Sequence, residues 1–155
     1  SGAVEAPWRN PASYDLFLRA TLAITRHADD VQAAFRRMVF NVLASNRDDH
    51  TRQHSYLMDE HGHWRLAPAY DLTYSAGPGG EHYLDIEGEG RNPTREHVQA
   101  LGRRHGLSSR VIDSVVEEVR AAVAEWERFA TEAGVTSRSR GEVLAAHEAV
   151  AGHFA

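Results

Sequence analysis

The stretch from Phe40 to Leu72 reads FNVLASNRDDHTRQHSYLMDEHGHWRLAPAYDL. It holds the densest cluster of polar and ionisable side chains in the chain, and strongly apolar segments flank it on both sides. Asp48, Gln53 and Asp71 stand out within it, because all three carry side-chain oxygens that can bind a hard cation. Any chemistry of this protein is expected here, and the rest of the chain is expected to hold this stretch in place.

The spacing of these three residues is typical of a phosphoryl-transfer site. Asp48 is followed, after four residues, by the amide of Gln53, which is the register of the kinase catalytic loop, and Asp71 follows across an expected hairpin. In such a site one carboxylate orients the attacking hydroxyl, while an amide oxygen and a second carboxylate hold magnesium. This interpretation makes Asp48 the catalytic residue and Gln53 and Asp71 the metal ligands.

Two longer motifs carry a resemblance to a known family. They are N-x-D-D-H-x-x-Q-H-S at Asn46 to Ser55 and L-A-P-A-Y-D-L at Leu66 to Leu72. In this order the motifs resemble the C-terminal half of the HipA-family serine/threonine kinases, over Val31 to about Ala133. The family's metal-binding Asn is replaced here by Gln53, whose side chain is one methylene longer.

The resemblance implies a function, cofactors and partners. It implies a protein serine/threonine kinase that acts as the toxin of a toxin–antitoxin pair, with Mg²⁺ and ATP as cofactors. Asp48 would be catalytic, and His50, Gln53 and Asp71 would contact the cofactors. The implied partners are a HipB-like helix-turn-helix antitoxin, a protein substrate, and an N-lobe supplied in cis or in trans. The isolated chain is expected neither to transfer phosphate nor to bind magnesium-ATP tightly.

Composition restricts the classes of function. All 17 basic residues are Arg, so the phosphate-gripping lysine of a P-loop or of a kinase N-lobe is not in these residues, and a kinase containing them would have only its carboxyl-terminal portion here. The absence of cysteine excludes disulfides and thiolate metal sites and fits a cytoplasmic address. A net charge of -5 with scattered arginines argues against direct contact with nucleic acid, and no apolar run is long enough for a membrane span.

Hydrophobic periodicity predicts a predominantly helical α+β domain with five helices around a small hairpin that displays the site, and the family resemblance implies that this domain is similar to a kinase C-lobe. Residues 13–155 are expected to form this domain, after an extended lead-in over residues 1–12 whose Trp8 docks on the core. The predicted helices run from Ser13 to His27, from Asp29 or Asp30 to Ser45-Asn46, from Asn92-Pro93 to Gly106, from Ser108 to Gly134, and from Ser137 or Ser139 to about Val150. The predicted strands are His54 to Met58, Trp64 to Ala67 and His82 to Ile86, with a Gly- and Pro-rich mobile loop at Ser75 to Gly80.

Two other functions remain open at this point. One is a non-catalytic interaction domain, in which a degenerate kinase-like site with Gln53 binds a partner. The other is a metal-dependent hydrolase, in which His50 and His54 would bind zinc together with Asp48 or Asp49. Outside that interpretation, Asp49 is expected to be a carboxylate of the loop or one that lies behind the ligands, and His50 a hydrogen-bonded histidine that braces the loop.

Overall fold

The structure is a computed structural model that describes residues 12–155, so the expected lead-in and Trp8 lie outside the described residues, apart from a buried Ala12. The helices are α1 (Tyr14–Thr25), α2 (Ala28–Leu43), α3 (Arg95–Arg104), α4 (Ser109–Ala124), α5 (Trp126–Glu132) and α6 (Ser137–Ala151). The strands are β1 (Tyr56–Met58) and β2 (Trp64–Leu66), which pair antiparallel. Short 3₁₀ turns lie at Thr51–Gln53, Pro78–Gly80 and Gly152–Phe154. The predicted α+β class with a mainly helical content is confirmed. Over the described residues, no helix has the length and apolar character that crossing a bilayer requires.

Helix α2 is the centre of the domain, and α1, α4, α6 and β2 all pack against it. Its apolar side chains recur at helical spacing around most of its surface, as expected for a helix that is covered on several sides. The buried apolar residues of α2 are Val31, Ala34, Phe35, Met38, Val39, Val42 and Leu43. The end of this helix is therefore anchored by packing, and the polar stretch begins directly after it.

The helix starts show which local signals decide a boundary. Ser13 and Ser108 cap α1 and α4 as predicted, and each side-chain oxygen accepts a hydrogen bond from a backbone amide three residues on. The predicted cap by Asp29 or Asp30 is wrong, because α2 begins at Ala28 and its N-cap position is His27, two residues before Asp29. The predicted start at Asn92-Pro93 is also wrong.

Helix α3 instead starts after Thr94, two residues beyond the predicted start. Thr94 and His97 form a reciprocal capping box, in which the backbone N–H of Thr94 donates to Nδ1 of His97 at 3.1 Å. Helix α6 starts at Ser137, one of the two predicted positions, and the hydroxyl of its N-cap residue Thr136 accepts from the backbone N–H of Ser139. In both helices a threonine directly before the first helical residue supplies the cap.

One predicted long helix is two helices in the structure. The prediction ran without interruption from Ser108 to Gly134, but the chain turns at Glu125, so the domain has six helices rather than five within its described part. The turn tightens the last residues of α4, since the amide of Glu125 bonds to the carbonyl of Ala122. It directs Trp126 onto α6, where its ring meets that of His147 edge-on at 5.5 Å. No Gly or Pro marks the break.

The hairpin is confirmed and is fixed to α2 by an ion pair. Gly62 adopts φ +82 in the turn, a conformation that glycine takes without steric cost. Asp30, in the first turn of α2, accepts two hydrogen bonds from Arg65 at 2.8 and 2.9 Å and one from the amide of Leu66. These bonds, first of all those to Arg65, hold the pKa of Asp30 below its usual range. The hairpin is thereby held in one orientation against the central helix.

The predicted strand His82 to Ile86 is wrong. This segment makes only isolated bridges, from Asp85 to Ser13 and from Ile86 to Glu89. The chain reverses at Gly88, directly after this segment. The carbonyl of Asp85 accepts a hydrogen bond from the amide of Tyr14, at the start of helix α1, rather than from a neighbouring strand. An extended segment without a strand beside it cannot form a ladder.

Candidate active site

The site begins where α2 ends, at a left-handed residue. Ser45 has φ +51, its amide bonds to the carbonyl of Val42, and the amide of Asn46 bonds to the carbonyl of Asn41. This is the Schellman pattern of helix termination, which more often uses glycine at the left-handed position. This pattern turns the chain sharply, so that the loop carrying Asp48 leaves the rigid helix in a defined direction.

The next residues are pinned to the segment that follows β2. The amide of Arg47 donates to the carbonyl of Ser75, and the amide of Ser75 donates to the carbonyl of Ser45. Gly77 packs so closely on this pair of segments that a Cβ there would lie 2.6 Å from Cβ of Arg47. The first part of the predicted mobile loop is thus bonded to the site, while its mobility stays a prediction.

Asp49 is the buried centre of the loop, with 0% of its surface exposed. Its carboxylate accepts hydrogen bonds from the hydroxyl of Tyr14 at 2.6 Å and from the amide of Tyr83 at 2.8 Å, and Nδ1 of His82 lies 2.8 Å from Oδ2. A buried charge is stable only with such partners. Asp49 therefore joins the site loop to α1 and to the segment 82–83 and lies behind the exposed Asp48.

The network continues through two asparagines into α2. Asn41 donates to the hydroxyl of Tyr14 at 2.9 Å, and Asn46 donates to the side-chain oxygen of Asn41 at 3.0 Å. Burial, reinforced by the nearby Asp49 carboxylate, raises the pKa of Tyr14 well above its usual range. Tyr14 thus stays a neutral hydroxyl that donates to Asp49, and the loop rests on a chain of side-chain hydrogen bonds.

Asp48, Gln53 and Asp71, the predicted catalytic and metal-binding residues, meet at the surface. Nε2 of Gln53 donates to Oδ2 of Asp71 at 2.8 Å and lies 3.5 Å from Oδ2 of Asp48. Asp48 comes from the loop after α2, Gln53 from the 3₁₀ turn, and Asp71 from the segment after β2. The side chain of Asp48 is 45% exposed and Asp71 is exposed, so a ligand can reach both carboxylates. The roles of these residues stay predictions, but their convergence is a structural fact.

The position of the Gln53 amide is informative about cation binding. Its NH₂ group lies between two carboxylates, which is where a cation would be attracted. Rotation of the amide about its terminal bond would exchange Nε2 for the oxygen Oε1. Two carboxylates and one amide oxygen are ligands that magnesium accepts, so the donor set fits this ion. The backbone of Asp71 is left-handed, φ +54, a conformation that aspartate tolerates better than most residues.

His50, predicted to contact the cofactor, lies beside Asp48 without a hydrogen bond to it. Its Nε2 is 3.7 Å from Oδ1 of Asp48, which is an ion-pair distance only when the histidine is protonated. Its ring meets that of Tyr83 edge-on at 5.6 Å, and its buried Nδ1 has no partner within residues 12–155. Its contact with a cofactor stays a prediction.

His54 faces the interior, which weakens the zinc hypothesis. Its ring stacks on Phe17 with centroids 3.9 Å apart, and burial together with the charge of Arg37 lowers its pKa to about 4. In the described part of the chain no group of three His, Cys, Asp or Glu side chains is placed to hold a metal ion. The structure therefore gives no support to a hydrolase site built on His50 and His54.

The sequence interpretation missed the residues that support the loop. Tyr14 and His82 lie 35 and 33 positions from Asp49 along the chain, and each resembles an ordinary core or loop residue in the sequence. One signal was available: Asn41 is a polar residue on the buried face of α2, and it is only 1% exposed. A buried amide must have partners, so its position predicts a polar network near the end of this helix.

Comparison with known protein families shows the family of this chain. The family model of the HipA-like C-terminal domain matches residues 2–126. The chain belongs to this family. The match begins well before Val31, where the resemblance in the sequence was first visible, and it ends at Trp126, where α5 starts. A search of curated proteins found no match.

A solved structure shares the fold of this HipA-like domain. It is HipA in the complex of the toxin–antitoxin proteins HipA and HipB with operator DNA from Shewanella oneidensis MR-1. The two superpose with a TM-score of 0.67 at 22% sequence identity, over 91% of this chain and 36% of that chain. This HipA-like domain therefore spans little more than a third of the length of that neighbour.

Proposed function

We propose that this chain is the catalytic-lobe portion of a HipA-like protein serine/threonine kinase that transfers phosphate from magnesium-ATP to a protein Ser or Thr. The observation that carries the proposal is the convergence of Asp48, Gln53 and Asp71 within hydrogen-bond reach of one amide. Phosphoryl transfer depends on positioning and on neutralising charge: one of these residues can position the attacking hydroxyl, and the other two can hold the magnesium ion that offsets the phosphate charge.

Each residue has a part in this proposal. Asp48 accepts the hydrogen bond of the attacking hydroxyl and aims its oxygen, and the buried Asp49 beside it keeps the backbone of the loop still. Gln53 and Asp71 would hold magnesium, which supplies positive charge to offset the phosphate oxygens. The cationic side chain that grips the phosphates belongs to an N-lobe, in cis or in trans, since these residues contain no lysine.

Exposed apolar side chains on the hairpin support a covering lobe. Met58 on β1 and its cross-strand partner Trp64 on β2 lie on the same face of the sheet and are 57% and 42% exposed. Large apolar side chains grouped on one element usually mark a surface that another unit covers. We assign this surface to the N-lobe, with the nucleotide held between the two lobes.

The proposed biological setting comes from the family. We propose a cytoplasmic toxin with a HipB-like antitoxin as partner, because the structural neighbour is HipA in a complex with HipB. That complex also contains operator DNA, which stands against the expectation that this protein has no contact with nucleic acid.

A second candidate is an interaction domain with a degenerate site. It is favoured by one observation: the amide of Gln53 already satisfies the carboxylate of Asp71, and the longer side chain replaces the Asn implied by the family resemblance. In this case the trio would be a structural hydrogen-bond cluster, and the protein would act by binding its partner.

The test uses the complete protein with its N-lobe and a radiolabelled phosphoryl-transfer assay. Asp71→Asn removes a negative charge that magnesium needs and should nearly abolish transfer. Glu60→Gln makes the same charge change in the exposed hairpin turn and should leave the rate unchanged. Transfer that survives Asp71→Asn at the wild-type rate would favour the interaction domain.

A further inference from the structure

A second cavity lies apart from Asp48, Gln53 and Asp71, where the end of α2, the segment after β2 and the last turn of α6 meet. Its volume is about 250 Å³. The polar side chains that line it are Ser45, Arg47, Tyr74, Asn92 and His153, together with Ser75. No carboxylate of the described residues lines it, so the cavity presents hydrogen-bond donors and one permanent positive charge.

Ser45 supplies a buried hydroxyl without a partner. The residue is 3% exposed, and its Oγ has no hydrogen bond to any described residue. Buried hydroxyls normally have a partner, so this one marks a place where a ligand atom can accept a bond. The helix end does not require serine either, because glycine suits the left-handed conformation at φ +51 better.

Arg47 is only weakly bonded within the described part of the chain. Its Nη1 and Nη2 contact the carbonyls of Ala76 and Arg91 at 3.4 Å each, the long limit for a hydrogen bond, and its buried Nε has no partner there. The nearby carboxylate of Glu81 is paired with Arg91 at 3.0 Å instead. The guanidinium of Arg47 therefore keeps its charge and most of its donors for a ligand.

The end of α2 would oppose an anion if its carbonyls faced the cavity. Two of these carbonyls are already bonded: those of Asn41 and Val42 accept hydrogen bonds from the amides of Asn46 and Ser45. The carbonyl of Ala44 lies 3.2 Å from Nε2 of His147.

We propose that this cavity binds a phosphate monoester, with Arg47 and Ser45 as its main hydrogen-bond donors. A phosphate offers three acceptor oxygens to match several converging donors, and the forked guanidinium of arginine binds phosphate well. The source would be a phosphorylated side chain of a protein or a small phosphorylated molecule. Because Arg47 directly precedes Asp48, an occupied cavity would also hold the backbone of the candidate active site.

The test is isothermal titration calorimetry on the 155-residue chain without magnesium or ATP, so it does not depend on the proposed kinase activity. The probes are inorganic phosphate, a capped phosphoserine tripeptide, and the same tripeptide without phosphate. Both phosphorylated probes should bind and the unphosphorylated tripeptide should not. Tighter binding of the tripeptide than of inorganic phosphate would assign the site to a phosphorylated protein, and the reverse would assign it to a small molecule.

Three variants make the result specific. Arg47→Gln should weaken binding about tenfold or more, since it removes charge-assisted hydrogen bonds. Ser45→Gly should weaken binding several-fold while the fold is kept, because glycine fits the left-handed backbone. Arg110→Gln removes an equal charge from the exposed start of α4, outside the cavity, and should bind like the wild type. No binding by the wild type, or an equal loss in Arg47→Gln and Arg110→Gln, would overturn the proposal.

Discussion

Asp48 and Asp49 are neighbours in the chain and lie in opposite environments. The side chain of Asp48 is 45% exposed and has one long contact to Gln53, whereas Asp49 is fully buried and accepts bonds from α1 and from the segment 82–83. The difference shows that the two carboxylates of this loop have separate roles. The buried carboxylate fixes the backbone, and the exposed one remains available to a ligand.

The strongest test of this difference between Asp48 and Asp49 is to neutralise each carboxylate in turn. Asp49→Asn should lower the free energy of unfolding by about 3 kcal/mol, because it leaves Tyr14, His82 and the amide of Tyr83 with a poorer acceptor in a buried site. Asp48→Asn should change it by less than about 0.5 kcal/mol, as is usual for exposed positions. Urea denaturation of both variants measures the two values. Equal effects would show that the two carboxylates do not have separate roles.

A smaller effect is expected from the tyrosine that supports Asp49. Tyr14→Phe removes a hydroxyl that both donates to Asp49 and accepts from Asn41, so it should cost about 2 kcal/mol of unfolding free energy. Tyr83→Phe is the matched control, because Tyr83 contacts Asp49 through its backbone amide alone. Its stability should equal that of the wild type. If Tyr14→Phe unfolded like the control, the buried network would be unimportant for the loop.

The partly buried His54, directly after the turn that contains Gln53, adds a pH dependence. Its pKa of about 4 in the folded chain is below its ordinary value, so the unfolded chain binds the proton more readily. Its contribution to stability is present above about pH 6.5 and is lost as pH falls toward 4. Between about pH 7 and pH 5 the loss should be on the order of 1 kcal/mol.

His54→Phe keeps the stacking on Phe17 and should flatten this part of the stability curve. His61→Gln, in the exposed hairpin turn, should leave the curve unchanged. Chemical denaturation at a series of pH values provides the comparison. A His54→Phe curve as steep as that of the wild type would mean that another group causes the dependence.

The smallest effect on activity is expected from a change within the exposed group of Asp48, Gln53 and Asp71. Gln53→Asn in the complete protein should leave phosphoryl transfer equal or improved, because a shorter amide can still reach the metal and matches the family's residue. Its effect on folding should also be small, since Gln53 bonds to an exposed carboxylate. The radiolabelled transfer assay measures the rate. A marked loss of activity would show that this site has adapted to the longer side chain.

Local signals in the sequence were sufficient where a structure is decided by a few adjacent residues. Ser13 and Ser108 cap their helices as predicted, and Gly62 turns the hairpin. The convergence of Asp48 and Asp71 was also predicted, because the hairpin between them returns the chain to its starting point. In each of these cases the structure is decided by residues that are close together in the sequence or joined by a short hairpin.

The wrong predictions have a different cause. The break of the long helix at Glu125 has no Gly or Pro to announce it, and its visible consequence is the contact of Trp126 with His147 on another helix. The third strand failed because the partner of Asp85 is the start of α1. In both cases the segment has a suitable local pattern, and contacts from distant parts of the chain decide its structure.

The sequence by itself determined the helical α+β class, the family, and the three side chains that meet at the candidate active site. These features follow from hydrophobic periodicity and motif spacing, which depend only on the order of residues along the chain. The tertiary structure alone decided which carboxylate is buried, and which serine and arginine line the second cavity. Asp49 acquires its partners from residues 35 and 33 positions away, and Ser45 and Arg47 meet residues of α6 about a hundred positions later. Burial and charge pairing depend on such distant neighbours, so two adjacent aspartates with the same chemistry have opposite roles.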